Sequence, residues 1–219
     1  VQNLYGARSL PAELRHAGVF IFSVDPTQRH LGLISKSDSG EIEWLHLAWH
    51  YFLSQSSPEK EFLWIDPSIA TIRLRQVAAQ CRKIARENAI GGIPYAFDLP
   101  NECFDADSMR FLAATKHGLT CATFVLAVFE TVGLSLIDSE TWPEREDDID
   151  WKSTIIEKLK GRAETSHIQN IESQLHFARF RPEEVAASAT IAPGPSDFSS
   201  VSPIAEEILK SLAAIDTDN

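Results

Sequence analysis

The sequence predicts an α+β domain in which a small antiparallel sheet packs on a central helix that begins at Cys121. Three observations lead there. Runs of β-branched and aromatic residues crowd the first third of the chain, separated by turn-forming clusters. The run from Cys121 to Phe129 is apolar on every side, which suits a helix buried all round. Strand-like segments come first and helix-like segments afterwards, rather than alternating as in a parallel α/β fold.

Residues 1–17 show no sustained periodicity and read as a lead-in. The first strand covers 19–24 and ends at Asp25-Pro26-Thr27; the second covers 30–35. Ser37-Asp38-Ser39-Gly40 is a turn, residues 41–47 form the third strand, and 61–65 form a short fourth closed by Asp66-Pro67. Short turns between them predict an antiparallel meander. Ser68 then caps a helix to about Asn88, with Val77, Cys81, Ile84 and Asn88 at helical spacing. Its basic face (Arg73, Arg75, Arg82, Lys83, Arg86) reads as solvated rather than as a binding patch. Gly91-Gly92-Ile93-Pro94 ends it, and a short helix is expected around 107–115.

Gly118-Leu119-Thr120 leads into the central helix, which Gly133 stops. The acidic segment from Asp138 to Asp150 reads as a solvated loop, with a lid over cationic or polar substrates as the alternative. Amphipathic helices follow between Trp151 and Phe180. Residues 1–185 are thus assigned to one body. The Ala-, Ser- and Pro-rich stretch 186–202 is assigned as a flexible linker. In 203–219, Ile204, Ile208, Leu212 and Ile215 line one face of an amphipathic helix, which can dock on the body or on a protein partner.

Composition narrows the function. Hydrophobic residues make up 44% and charged residues 23% of 219 residues, enough apolar material for a core without staples. A net charge of −11 argues against nucleic acid or an anionic membrane as the main partner. No apolar run is long enough to cross a bilayer, and no basic-then-apolar export signal opens the chain. The start at Val1, without Met, is what removal of a leader also produces. Three widely spaced cysteines (Cys81, Cys103, Cys121) favour a reducing, cytoplasmic compartment in which a thiol has a chemical task.

A nucleophilic thiol needs a stabilised thiolate, a base within reach and a group that orients the base. Thr120-Cys121 sits at the mouth of the buried helix, where free N–H groups and the helix dipole lower a thiol pKa and offer oxyanion donors. Alternation puts His30, Gly32 and Ile34 on one strand face and Ile42, Trp44 and His46 on one face of the next. If those strands pair, His30 can take the proton from Cys121 while His46 holds its tautomer. The competing readings are an inert core Cys121, Cys103 as nucleophile among the polar neighbours Asn101 and Glu102, and His46 as a plain strand residue beside Trp44. Cys81, in mid-helix, reads as structural.

His46 and His50 are spaced as zinc ligands on a helix turn, but in a strand that spacing spans about 13 Å. Zinc is therefore a weak alternative, a zinc-binding module the outsider, and no metal or cofactor is assigned. His16, His117, His167 and His176 form no pattern and read as surface or packing residues.

The segments Gly18-Val19-Phe20-Ile21-Phe22, His30-Leu31-Gly32-Leu33-Ile34 and Trp44-Leu45-His46 resemble the β core of NlpC-type papain-like hydrolases. Leu119-Thr120-Cys121-Ala122-Thr123-Phe124-Val125 resembles that family's nucleophile helix. Tyr95, in Ile93-Pro94-Tyr95-Ala96-Phe97, resembles the tyrosine found near the family's oxyanion site. Tyr95 can equally be a packed aromatic. Here the Cys helix follows the His strands, the order of the circularly permuted branch that includes YiiX-like and lecithin–retinol acyltransferase-like proteins.

The resemblance implies a permuted papain-like fold with Cys121, His30 and His46 as catalytic residues, and Tyr95 and Thr120 at the oxyanion and substrate site. It implies hydrolysis of an amide, in a peptide or a peptidoglycan-type cross-link, through a thioester. The alternatives are a lipid ester hydrolase or acyltransferase, and a catalytically silent scaffold that binds a partner.

Overall fold

The computed structural model describes residues 3–7, 14–37, 39–58, 61–97, 102–112, 118–174 and 178–217. Alternating apolar strands pair in a six-stranded antiparallel sheet of order β1-β6-β2-β3-β4-β5. The strands are β1 (Leu4–Gly6), β2 (Ala17–Ser23), β3 (Arg29–Lys36), β4 (Ile42–Trp49), β5 (Phe52–Ser56) and β6 (Leu63–Ile65). The predicted meander holds for β2 to β4, which an unpredicted strand, β5, extends. It fails beyond them, because β6 returns to pair with β2 on the other side and is itself edged by β1. The expected lead-in therefore contains a strand, too short at three residues to show a period. The strand β5 was also missed, because its sequence FLSQS is mostly polar and half exposed.

Side-chain alternation gives the sheet two distinct faces. One carries Val19, Ile21, Leu31, Leu33, Leu45 and Leu47 and packs against helices. The other carries Phe20, Phe22, Ile34, Trp44, Phe62 and Trp64 and forms an aromatic stack, with Phe20 and Trp44 ring centroids 4.1 Å apart.

The helices are α1 (Thr71–Glu87), α2 (Cys121–Glu130), α3 (Glu146–Leu159), α4 (Thr165–Glu172), α5 (Pro182–Thr190) and α6 (Phe198–Thr217). The N-cap of α1 is Ala70 rather than Ser68, whose hydroxyl instead accepts from Asn3 Nδ2 at 2.6 Å. Its basic residues are mostly tied locally, Arg73 to Val132 O at 2.7 Å and Arg82 to Lys36 O at 3.3 Å. The central α2 meets the expectation for an all-apolar helix: every residue from Cys121 to Phe129 is buried. It packs on β3 and β4 and is flanked by α1 and α5.

Three sequence assignments are corrected. The flexible linker over 186–202 does not exist as such: α5 begins at Pro182, and its Val185, Ala186, Ala187 and Ala189 are wholly buried in the core. Small alanines there let a helix approach the sheet and α2 closely, so the composition reflects tight packing rather than freedom. The acidic loop 138–150 is the second. Its last five residues open α3, where Glu146, Asp147 and Asp148 complement the helix dipole, and Asp148 is buried. The helix expected around 107–115 is absent from its described part, 107–112, which is turn and extended chain with Phe104 bridged to Phe111. The C-terminal helix is present and longer than expected, and Val201, Ala205, Ile208 and Leu212 bury it against the body.

Candidate active site

The β3–β4 register sets Ile34 opposite Trp44 and Leu33 opposite Leu45, so continuing it puts His46 across from Gly32 and diagonal to His30. The two imidazoles meet on the aromatic face: His30 Nε2 lies 2.7 Å from His46 Nδ1, with the rings edge to face. Phe20 and Trp44 flank His46, and Phe22 lies against His30. Gly32 makes this possible. A Cβ there would stand 2.5 Å from the Phe20 ring and 2.7 Å from His46 Cβ.

Burial lowers the His46 pKa to about 4, so this ring is neutral near pH 7. A neutral His46 can accept at Nδ1 while keeping its own proton on Nε2. That arrangement makes His30 donate from Nε2, with Nδ1 as the acceptor atom of its ring.

Cys121 approaches the same strand from the helix-covered face. The backbone N–H groups of Leu31, next in chain to His30, and of Ala122 and Cys121 at the helix start favour the Cys121 thiolate. His30 and Cys121 line one cavity of about 300 Å³ at the end of β3. Burial nevertheless pushes the Cys121 thiol up, against these N–H groups and the Arg179 charge. The expectation that the helix end lowers its pKa is thus overturned, because desolvation outweighs the dipole in a closed site. Cys81 and Cys103 are pushed up to about 12 by burial, and neither lines this cavity.

Thr120 also lines the cavity, but its side chain forms the helix cap. Its Oγ1 accepts from the Thr123 N–H at 3.1 Å, and Thr123 Oγ1 accepts from the Thr120 N–H at 2.8 Å. Thr120 therefore fixes where the helix starts rather than presenting its hydroxyl to a ligand.

Tyr95 lies beside Cys121. The Gly118 position allows this, since a Cβ there would stand 2.1 Å from Pro94 O, where the chain pairs through Leu119 N–H to Pro94 O at 2.9 Å. The phenol is buried and held strongly in its neutral form, first by desolvation and then by the neighbouring thiol. Two histidines clamp its backbone: the Tyr95 N–H donates to His50 Nδ1 at 3.1 Å, and its carbonyl lies 2.8 Å from His167 Nε2. His46 and His50 are thus committed to different partners. No group of three or more His, Cys, Asp or Glu among the described residues could hold a metal ion. His117 and His176 lie outside the described residues, as do residues 113–117 of the expected short helix.

Sequence reading missed Arg179, which lines the same cavity as Cys121 and whose charge reaches the thiol. Its guanidinium lies 3.9 Å over the Trp151 ring and 3.5 Å from Asp148, which also binds Arg145 at 3.0 Å and Arg181 at 3.0 Å. Arg145 also pairs with Glu184, which accepts from Trp142 Nε1 at 2.9 Å. The only sequence signal was the alternation of Arg179, Arg181 and Glu184 around an aromatic, which carries no period. His167 was missed for a similar reason, because its partner Tyr95 is 72 positions away.

Compared with protein-family models, curated proteins and solved structures, the chain matches none.

Proposed function

We propose that this chain is a permuted papain-like cysteine hydrolase that cleaves an amide by acyl transfer through Cys121. The observation that carries the proposal is the His30–His46 pair at 2.7 Å, set at the end of β3 where His30 and Cys121 line one cavity. In this reading Cys121 sulfur attacks the carbonyl carbon as its proton passes to the His30 imidazole through the cavity that both line. The tetrahedral oxyanion accepts from the Cys121 backbone N–H and from the Tyr95 hydroxyl, which makes no hydrogen bond among the described residues. His30 returns the proton to the leaving amine, and a thioester remains. Water then attacks with His30 as base, releasing the acid and restoring the thiol.

Because burial raises the resting thiol, Cys121 keeps its proton before substrate arrives, and proton transfer accompanies attack. The same burial favours a second reading, a silent papain-like scaffold that binds a partner. A panel of peptide amides and acyl esters, assayed with wild type, Cys121→Ala and His30→Ala, separates the readings. Turnover lost in both variants supports the hydrolase. Ester turnover without amide turnover selects the lipid-type acyl chemistry, and no turnover with any substrate supports the scaffold.

A further inference from the structure

With a net charge of −11, the average surface of this protein is acidic. The cavity beside Cys121 is the reverse. Arg29, Lys158, Arg162 and Arg179 line it, and no Asp or Glu does among the described residues.

Most of these cations are not neutralised. Arg29 donates to backbone carbonyls alone, those of Asp25 at 2.9 Å, Gln28 at 3.2 Å and Pro26 at 3.3 Å. Lys158 and Arg162 form no ion pair among the described residues. The acid whose field reaches Lys158 is Asp25, and its carboxylate already accepts from Thr27 and Gln28. Among the described residues only Arg179 of these four has a counter-ion, in the cluster where Arg145, Arg179 and Arg181 balance Asp147, Asp148 and Glu184. Glu183, a further acid near Arg179, is pushed toward its neutral form by burial.

The wall is also over-supplied with donors. Arg29 Nε and Trp49 Nε1 are buried without a partner among the described residues. Between the cations stand Trp49, Trp151, Ile155 and Phe180, whose low-dielectric surface strengthens the field inside.

We propose that this cavity selects an acyl substrate bearing an anionic group, a carboxylate or a phosphate, near the bond that Cys121 attacks. The proposal rests on Cys121 being the nucleophile.

The test compares two alkylating reagents of nearly equal size, neutral iodoacetamide and anionic iodoacetate, with Cys121 modification read by peptide mass spectrometry. A free thiolate such as that of glutathione favours the neutral reagent, and it sets the reference ratio. At Cys121 the ratio is expected to move toward iodoacetate by about tenfold or more, and the gain to shrink as salt rises from about 0.05 M to about 0.5 M. Lys158→Gln with Arg162→Gln, at two exposed positions, is expected to return the ratio most of the way to the reference.

Protection of Cys121 by succinate but not by inorganic phosphate would identify a carboxylate, and the converse a phosphate. A ratio at or below the glutathione reference overturns the proposal, as does protection by neither anion. A pH profile of alkylation unchanged in His30→Ala would instead overturn the nucleophile reading, while leaving an anion preference visible.

Discussion

The two walls of the cavity are backed differently. One presents His30, and behind it stands His46 from the adjacent strand only 16 positions away, a meeting that follows from alternation and one hairpin register. The other presents Arg179, held by Asp148, 31 positions away, and by Trp151. The backing of the first wall is aromatic, with a histidine that burial keeps neutral. The backing of the second is ionic, with three guanidiniums around one buried carboxylate. In the proposed function the imidazole wall orients a proton acceptor, and the ionic wall supplies fixed charge. The account predicts that substitutions in the first change chemistry more than stability, and substitutions in the second the reverse.

The largest effect is expected from removing the reacting pair. Cys121→Ala or His30→Ala lowers turnover of the best substrate by about a thousandfold or more, measured by initial rates, with the melting temperature nearly kept. Next comes Asp148→Asn, which leaves three guanidiniums short of their shared counter-ion and costs about 3 to 5 kcal/mol in urea unfolding. A cost near zero would show that the ionic wall is not structural.

Gly32→Ala drives a methyl into Phe20 and His46 and is expected to cost up to about 3 kcal/mol. It should also lower activity, because His46 moves away from His30. That double effect is what joins this wall's packing to its chemistry.

A pH effect follows from His46. Its folded pKa of about 4 lies below the ordinary histidine value of 6.5, so the unfolded chain binds the extra proton first. Stability is therefore full above about pH 6.5 and falls as the pH drops toward 4, by on the order of 2 kcal/mol after allowance for partial exposure. His46→Asn should flatten this slope in denaturant titrations at stepped pH. The smallest effect is kinetic. His46→Asn keeps an acceptor for His30 Nε2–H and should cost about tenfold in rate, against about a hundredfold for His46→Leu.

The same contrast explains what could be read in the sequence. The placement of β2, β3 and β4, the buried α2 and the shared face of His30 and His46 follow from periods of two residues and from an apolar run, both local signals. The α5 helix was hidden because its alanines fit close packing and a linker equally well. The Tyr95 clamp and Arg179 were hidden because their partners are tertiary, His50 and His167 for one and Asp148 and Trp151 for the other. The Cys121 pKa was misjudged because desolvation depends on burial that no local pattern reveals.

The most direct test of the central claim is to map the acyl group after brief exposure to an activated ester such as a p-nitrophenyl acyl ester. The account predicts a thioester on Cys121 in the wild type and none in His30→Ala, with Cys81 and Cys103 unmodified in both. Acylation spread over all three cysteines, or Cys121 acylation that survives the loss of His30, would contradict it.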